Sequence, residues 1–400
     1  MSSSLKRNSL YLLLARLTAQ ALSILFIAIL ARRLNITDFG QFALIATILL
    51  LGNTFTNFGT DTTLIRELAR TGKITNIISS ALALQLALSA LWVFITLLLK
   101  PNSPLLFYSL SLFPFAIFSV TTATLRALER MDLFWTLTLA NSFIQLIAAY
   151  FSLDIFTLCL YLLIGHFLTA ALSYLICTAS FPTFNLLPLK NFSPLLNLTL
   201  PFAALTFLIV LSQRLGVLIT SALLGDSATA IFSSTLRIVD GLKLGHYAIL
   251  GALLPVISRG AQESKQSFRK GFFLLLTFSL IMAIGLAIFP RLIILILYGE
   301  KFTRAIPLLS LLGWSLIPYT ISSFISYDLI ARGREMTLVK ATAISLTIYI
   351  VLYFWLISAY QLHGAVYAAV VGEIIQSIIF VIFQRRGGVT PPLRNNENLT

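Results

Sequence analysis

Cysteine, histidine and charge are all scarce in this chain of 400 residues. Its two cysteines, Cys159 and Cys177, fall on one predicted helix, about 27 Å apart along the axis. Disulfide geometry forbids their pairing within a straight helix. The three histidines, His166, His246 and His363, lie too far apart in sequence to suggest a metal site. There is no GxxxxGKS/T phosphate loop, no HExxH, no GxSxG and no CxxC. No catalytic signature is therefore present, and no cofactor or metal is expected. Charged residues make up only 10% of the chain, which excludes an ordinary soluble domain. Any work done must draw on an ion gradient or on the substrate's own downhill drop.

What is present is apolar sequence. Hydrophobic residues reach 58% and the mean hydropathy is +0.93. A membrane-spanning helix needs about 20 mostly apolar residues. Twelve such runs are read: 10–31, 39–60, 75–99, 105–127, 133–153, 155–179, 199–223, 228–255, 270–290, 306–329, 337–358 and 364–384. The expectation is an all-α integral membrane protein with no sizeable extramembrane domain. The first run is too long for the apolar core of a signal peptide and no small-residue cleavage site follows it, so it is expected to be retained. The net charge of +14 reflects topology. With the N-terminus inside, eighteen lysines and arginines fall on inside segments, six on outside loops and four within the runs. That bias predicts cytoplasmic N- and C-termini and argues against a nucleic-acid partner.

The chain repeats itself. Arg70 and Arg259 each close the second run of a half, and Pro101 and Pro290 each follow the third, both pairs 189 residues apart. LERMDLFWTLTLANSF matches GREMTLVKATAISLTI at a slightly larger offset, so the second half carries extra residues within PRLIILILYGEKFTRA. Parallel six-helix repeats are a transporter arrangement. The expected organisation is a six-helix lobe over 1–180, a proline-bearing linker over 181–193, a second lobe over 194–384 and a disordered tail over 385–400.

The strongest functional signal is ionisable residues inside these runs. In 228–255, Arg237, Asp240, Lys243 and His246 each lie three residues after the last, which places neighbours side by side on one helix face. Charge at membrane depth costs from about 3 to more than 10 kcal/mol, so it seldom persists without a partner or a use. Arg214 and Arg237 are both expected about 13 Å below the outer edge. Arg214, Arg237, Asp240 and Lys243 sum to a formal charge of +2. One reading is a substrate bearing phosphate or carboxylate, since the arginine fork suits phosphate oxygens. The other is a lock, with Asp240 paired to Arg237 or Lys243 and the rest facing a watery cavity.

Asn53, Asn57 and Asp61, spaced i, i+4, i+8, form a polar stripe without cations. They are candidates either for a cavity wall contacting sugar hydroxyls or for interhelical hydrogen bonds. Glu373, mid-depth with Gln376 three residues on, is a proton carrier or a partner for one of the arginines. Arg16 lies near the start of its run and can snorkel to the surface. Pro201, Pro255, Pro290, Pro307 and Pro318 are either bending points or plain helix starts.

LARLTAQALSILFIAILARRLNITDFGQFALIATILLLGNTFTNFGTDTTLIRELAR resembles the opening of Wzx-type polysaccharide flippases. LLGDSATAIFSSTLRIVDGLKL, and LYGEKFTRAIPLLSLLGWSLIPY followed by LIARGRE, are similar to later stretches of the same family. The family lies in the multidrug/oligosaccharidyl-lipid/polysaccharide exporter superfamily. The resemblance implies two six-helix lobes around a central cavity and a location in the bacterial inner membrane. It also implies translocation of an undecaprenyl-diphosphate-linked oligosaccharide for surface polysaccharide such as O-antigen, and so a flippase rather than an enzyme. By type and depth, Arg214, Arg237 and Lys243 become the candidates for the diphosphate. Asn53, Asn57, Asp61, Asp240 and His246 become cavity polar groups, and Glu373 and Asp240 candidates for proton coupling. Asp240 sits awkwardly among cations meant for an anion. Partners would be the lipid-linked glycan, membrane lipid and other polysaccharide-assembly proteins. The alternatives are a cation-coupled multidrug antiporter, which would want acids lining its cavity, a glycan polymerase or ligase, which needs a large outer loop, and a scaffold without transport activity.

Overall fold

Three helices in this chain begin where a side chain accepts from a bare N–H of the first turn, at Asn35, Ser103 and Asp154. The computed structural model describes residues 2–71, 77–100, 103–182, 184–186, 193–258 and 262–386. α1 (Ser2–Arg33) leads to Asn35, whose side chain accepts from the Asp38 N–H at 2.7 Å and caps α2 (Ile36–Asn57). Phe58 and Gly59, at φ 49° and 72°, end α2. The chain restarts as the amphipathic α3 (Thr60–Thr71) and continues into α4 (Ile77–Leu99). Ser103 caps α5 (Pro104–Ser109), which precedes α6 (Leu112–Ala127) and α7 (Met131–Phe151). Asp154 opens α8 (Ile155–Ser180) with a capping box to Thr157.

α9 (Ser193–Ser258) is interrupted at Gly225, φ 77° and ψ −174°, a conformation that favours a residue without Cβ. There follow α10 (Gln262–Ile288), α11 (Pro290–Leu297), a 3₁₀ turn (Glu300–Ala305), α12 (Ile306–Leu312), α13 (Leu316–Ala331) and α14 (Glu335–Arg386). α14 breaks at Gln361, φ 54°. There the chain doubles back closely enough that a Cβ on Gly364 would lie 1.9 Å from the Leu356 carbonyl oxygen.

Among the described residues, nine helical stretches are long and apolar enough to cross a membrane by length and composition. Two of them, Ala203–Lys243 and Glu335–Arg385, contain the breaks at Gly225 and Gln361. Run 105–127 is divided between α5 and α6, and run 306–329 between α12 and α13. Pro290, Pro307 and Pro318 all stand in first turns, as helix starts. The segment PRLIILILYGEKFTRA forms α11 and the 3₁₀ turn. Large apolar side chains such as Phe151, Leu153, Phe273, Ile281 and Trp355 are exposed, the inversion expected of a multi-pass membrane protein whose solvent is lipid. Small hydroxyls join neighbouring helices, as where Thr121 of α6 donates to Ser173 of α8 at 2.9 Å. Cys159 and Cys177 are both free thiols and buried.

Contacts divide the chain into Met1–Arg214 and Leu215–Thr400, within α9 and downstream of the expected linker. Leu64, Leu68, Ile78, Leu84, Val120 and Leu125 centre the first unit where α3, α4 and α6 meet. Phe302, Leu308, Leu309 and Leu316 are fully buried in the second. Of the expected linker, 183 and 187–192 lie outside the described residues, as do 387–400 of the expected tail; Arg385 and Arg386 still belong to α14.

Candidate functional site

Three residues of α-helix fall about 60° short of a full turn. Three such steps carry a side chain half-way round the helix, so Arg237 and His246 cannot share a face. The second arm of α9 follows this rule, and the quartet read as one stripe is distributed over three environments. Arg237 is half-buried and near enough to Tyr298, whose hydroxyl donates to the Ser234 carbonyl at 3.0 Å, for its charge to act on that phenol. Lys243 turns towards α13 and α14. His246 is fully buried: its Nε2 lies 2.7 Å from Ser279 Oγ and 2.9 Å from Thr320 Oγ1, and its ring meets Phe278 and Tyr319 edge-on. Hydroxyls of α10 and α13 thus enclose the residue expected as a cavity polar group.

Lys243 forms the centre of the second unit's polar cluster. Its Nζ donates to Glu373 Oε1 at 2.9 Å, lies 4.0 Å from Asp240 Oδ1 and sits 4.4 Å from the centre of the Tyr319 ring. The side chains of Lys243 and Glu373 are only 13% and 14% exposed. Beside Glu373 the helix carries Gly372, where any Cβ would collide with the Tyr349 ring at 2.2 Å. Tyr349 stacks on Tyr353 with ring centres 6.1 Å apart, and both rings are buried. The ion pair thus has an aromatic, poorly hydrated surround in which charge interactions are strong. Glu373 takes a lysine as partner rather than one of the arginines. Arg237, Lys243, Asp240 and Glu373 together sum to zero formal charge, so in this unit the positive excess counted along the sequence is offset. Of the other candidates, Arg214 is half-buried at the end of the first unit, and the Arg16 side chain lies outside the described residues.

The first unit holds a second polar cluster. The helix ends between Asn57 and Asp61, so the expected three-residue stripe is not continuous. Asn57 nevertheless reaches across the break, its Nδ2 donating to Asp61 Oδ1 and to Ser119 Oγ, both at 2.9 Å. Arg126 of α6 donates to Asp61 Oδ2 at 2.8 Å, which supplies the cation the stripe lacked. Gln85 of α4 donates to Thr60 Oγ1 at 2.6 Å and to Ser119 Oγ at 3.3 Å. This is a hydrogen-bonded junction of α2, α3, α4 and α6. Asn53 is half-buried one turn earlier on α2.

A third polar group escaped the sequence reading. Asp328 of α13 is 1% exposed, accepts from Arg332 Nε at 2.8 Å and from Gln384 Nε2 of α14 at 2.8 Å. An acid inside run 306–329 with arginine four residues later was the signal for it. At the start of α7, the Arg130 guanidinium donates to both carboxylate oxygens of Asp132 at 3.1 Å. Among the described residues no three His, Cys, Asp or Glu side chains gather as a metal site.

Comparison with known proteins bears on what such a set of helices does. The family model described as "Polysaccharide biosynthesis protein" matches residues 5–261. Among curated proteins no sequence matches this chain. Solved structures share its fold. An inward-facing multidrug resistance MATE family transporter of the MOP superfamily has a TM-score of 0.74 at 14% identity, covering 92% of this chain and 94% of its own. The lipid II flippase MurJ, in an inward closed conformation, has a TM-score of 0.76 at 17% identity, covering 93% and 87%. An outward-facing MATE family transporter has 0.67 at 13% identity, covering 96% and 95%.

Proposed function

This chain belongs to the polysaccharide biosynthesis protein family, within the MOP superfamily whose transporters share its fold, and we propose that it is a flippase for a lipid-diphosphate-linked oligosaccharide. The observation that carries the reading is the pair of cations, Arg237 and Lys243, on one apolar arm of α9. Cations at membrane depth are retained where an anion must be handled. In this reading Arg237 and Lys243 hold the diphosphate of an undecaprenyl carrier while the prenyl chain stays in lipid, and Asp240 offers hydrogen bonds to sugar hydroxyls. The site is exposed to one side and then the other through twelve crossings in two six-helix halves, in a bacterial inner membrane with both chain ends in the cytoplasm. The bias of lysine and arginine towards one set of connections supports that sidedness.

The test is substitution with expression held equal. Arg237→Ala and Lys243→Ala should each abolish surface glycan display and accumulate the lipid-linked precursor inside. Normal display in both variants would remove the diphosphate role from α9. A second reading, a cation-coupled drug antiporter, is favoured by the two carboxylates, Asp240 and Glu373, gathered at Lys243. Loss of cationic-dye efflux in Asp240→Asn, with glycan display intact, would point there instead.

A further inference from the structure

Lys243, one of the candidate diphosphate ligands, is already occupied. Its ammonium is 2.9 Å from Glu373 Oε1 on α14 and 4.0 Å from Asp240 Oδ1 one turn earlier on its own helix. The Tyr319 ring takes a further side at 4.4 Å. A lysine so enclosed is not an open anion receptor. Glu373 takes one of the only three donors of the ammonium, and a phosphate oxygen bound to that donor takes the place of the carboxylate oxygen.

We propose that Glu373 is an internal counter-anion that stands in for the substrate's phosphate on Lys243 and is exchanged for it during transport, which makes it a specificity-determining residue of the flippase site. The inference rests on the diphosphate reading given above. Three observations support it. First, the Glu373 side chain is presented by α14, while Lys243 is presented by α9, so the contact is made between helices and can be broken without unwinding either. Second, Gly372 lets the Tyr349 ring come within 2.2 Å of where a Cβ would stand, so close packing holds the backbone beside Glu373. Third, both partners are only about one-seventh exposed. An unpaired charge in such a place costs several kcal/mol, so the substrate-free site keeps a carboxylate on Lys243, and the loaded site keeps a phosphate there. One ion pair replaces another, and neither state leaves Lys243 bare.

Removing the internal anion should then strengthen binding and hinder release. The measurement is titration of the purified full-length protein with farnesyl diphosphate, with farnesol as the uncharged control. Glu373→Gln should bind farnesyl diphosphate about tenfold tighter, the scale of a typical coupling between competing groups, and bind farnesol no differently. In cells the same variant should accumulate precursor at equal expression, because the diphosphate is no longer displaced. The double variant Lys243→Ala/Glu373→Gln should bind no tighter than Lys243→Ala. If Lys243→Ala weakens binding but Glu373→Gln leaves it unchanged or weaker, the counter-anion role is overturned and the flippase reading stands. If Arg237→Ala and Lys243→Ala both leave the affinity unchanged, the diphosphate reading fails and takes this inference with it. Should Glu373→Gln not fold, Glu373→Asp draws the carboxylate back by one methylene and must still tighten binding. Unchanged affinity there overturns the inference.

Discussion

Lys243 and His246 lie one turn apart on the same arm of α9 and meet different surroundings. The lysine is turned to a carboxylate of α14, whereas the histidine is sealed between hydroxyls of α10 and α13. A role in transport is therefore expected of the first, and a role in packing of the second. His246→Leu removes the acceptor or donor shared by Ser279 and Thr320 and leaves two buried hydroxyls to each other. That should cost about 1–3 kcal/mol, read as a lower melting temperature in detergent, while farnesyl diphosphate affinity stays at the wild-type value. The four-residue pattern in α9 was visible in the sequence as residue types, and their depth followed from hydropathy. Their separation onto different faces follows from helical geometry once nine residues are counted rather than three. The partner of each was not visible, since Ser279, Thr320 and Glu373 stand 33, 74 and 130 residues away from the side chains they meet.

Element boundaries obey local chemistry, and α8 is the clearest instance. Asp154 accepts from the Thr157 N–H at 2.7 Å, and Thr157 Oγ1 accepts in return from the Asp154 N–H at 3.1 Å. That bond to the ionised form holds the Asp154 carboxyl below the usual carboxylate range. A carboxyl lowered on folding stabilises the protein above its unfolded pKa and loses that contribution as pH falls through the folded value. The cap is thus complete at neutral pH and weakens only in acid. Asp154→Ala should cost about 1 kcal/mol at pH 7, and the melting temperatures of variant and wild type should converge as the pH is lowered below the usual carboxylate range. A constant gap down to strong acid would contradict this. The caps act within three or four residues but were not read from the sequence, and the prolines were read there both as bending points and as helix starts. The break at Gly225 carried its own signal, a glycine between apolar runs. The break at Gln361 carried none in its residue type, and depends on Gly364 lying against the Leu356 carbonyl.

At the scale of the whole molecule, lysine and arginine placement predicts which connections share a side. Cysteines introduced at Thr71 and Ser103, on the two flanks of α4, should react from opposite sides of the membrane, Thr71→Cys only after the cells are opened. The native thiols, buried at Cys159 and Cys177, leave that background low. Equal labelling of both positions in intact cells would reject the assigned sidedness. The membrane class, the all-α fold and the family were determined by the sequence alone. Each depends on apolar content, on run length near the thickness of a bilayer, and on local motifs, all of which are one-dimensional properties. The charge balance of the site was decided only by tertiary structure. A helix sequence specifies which face a residue occupies, but not which helix packs there. Hence the stripe of asparagines and Asp61 acquired Arg126 from α6, and the cationic arm of α9 acquired Glu373 from α14. Removal from water makes each of these charges demand a partner, and the packing of helices distant in sequence supplies it.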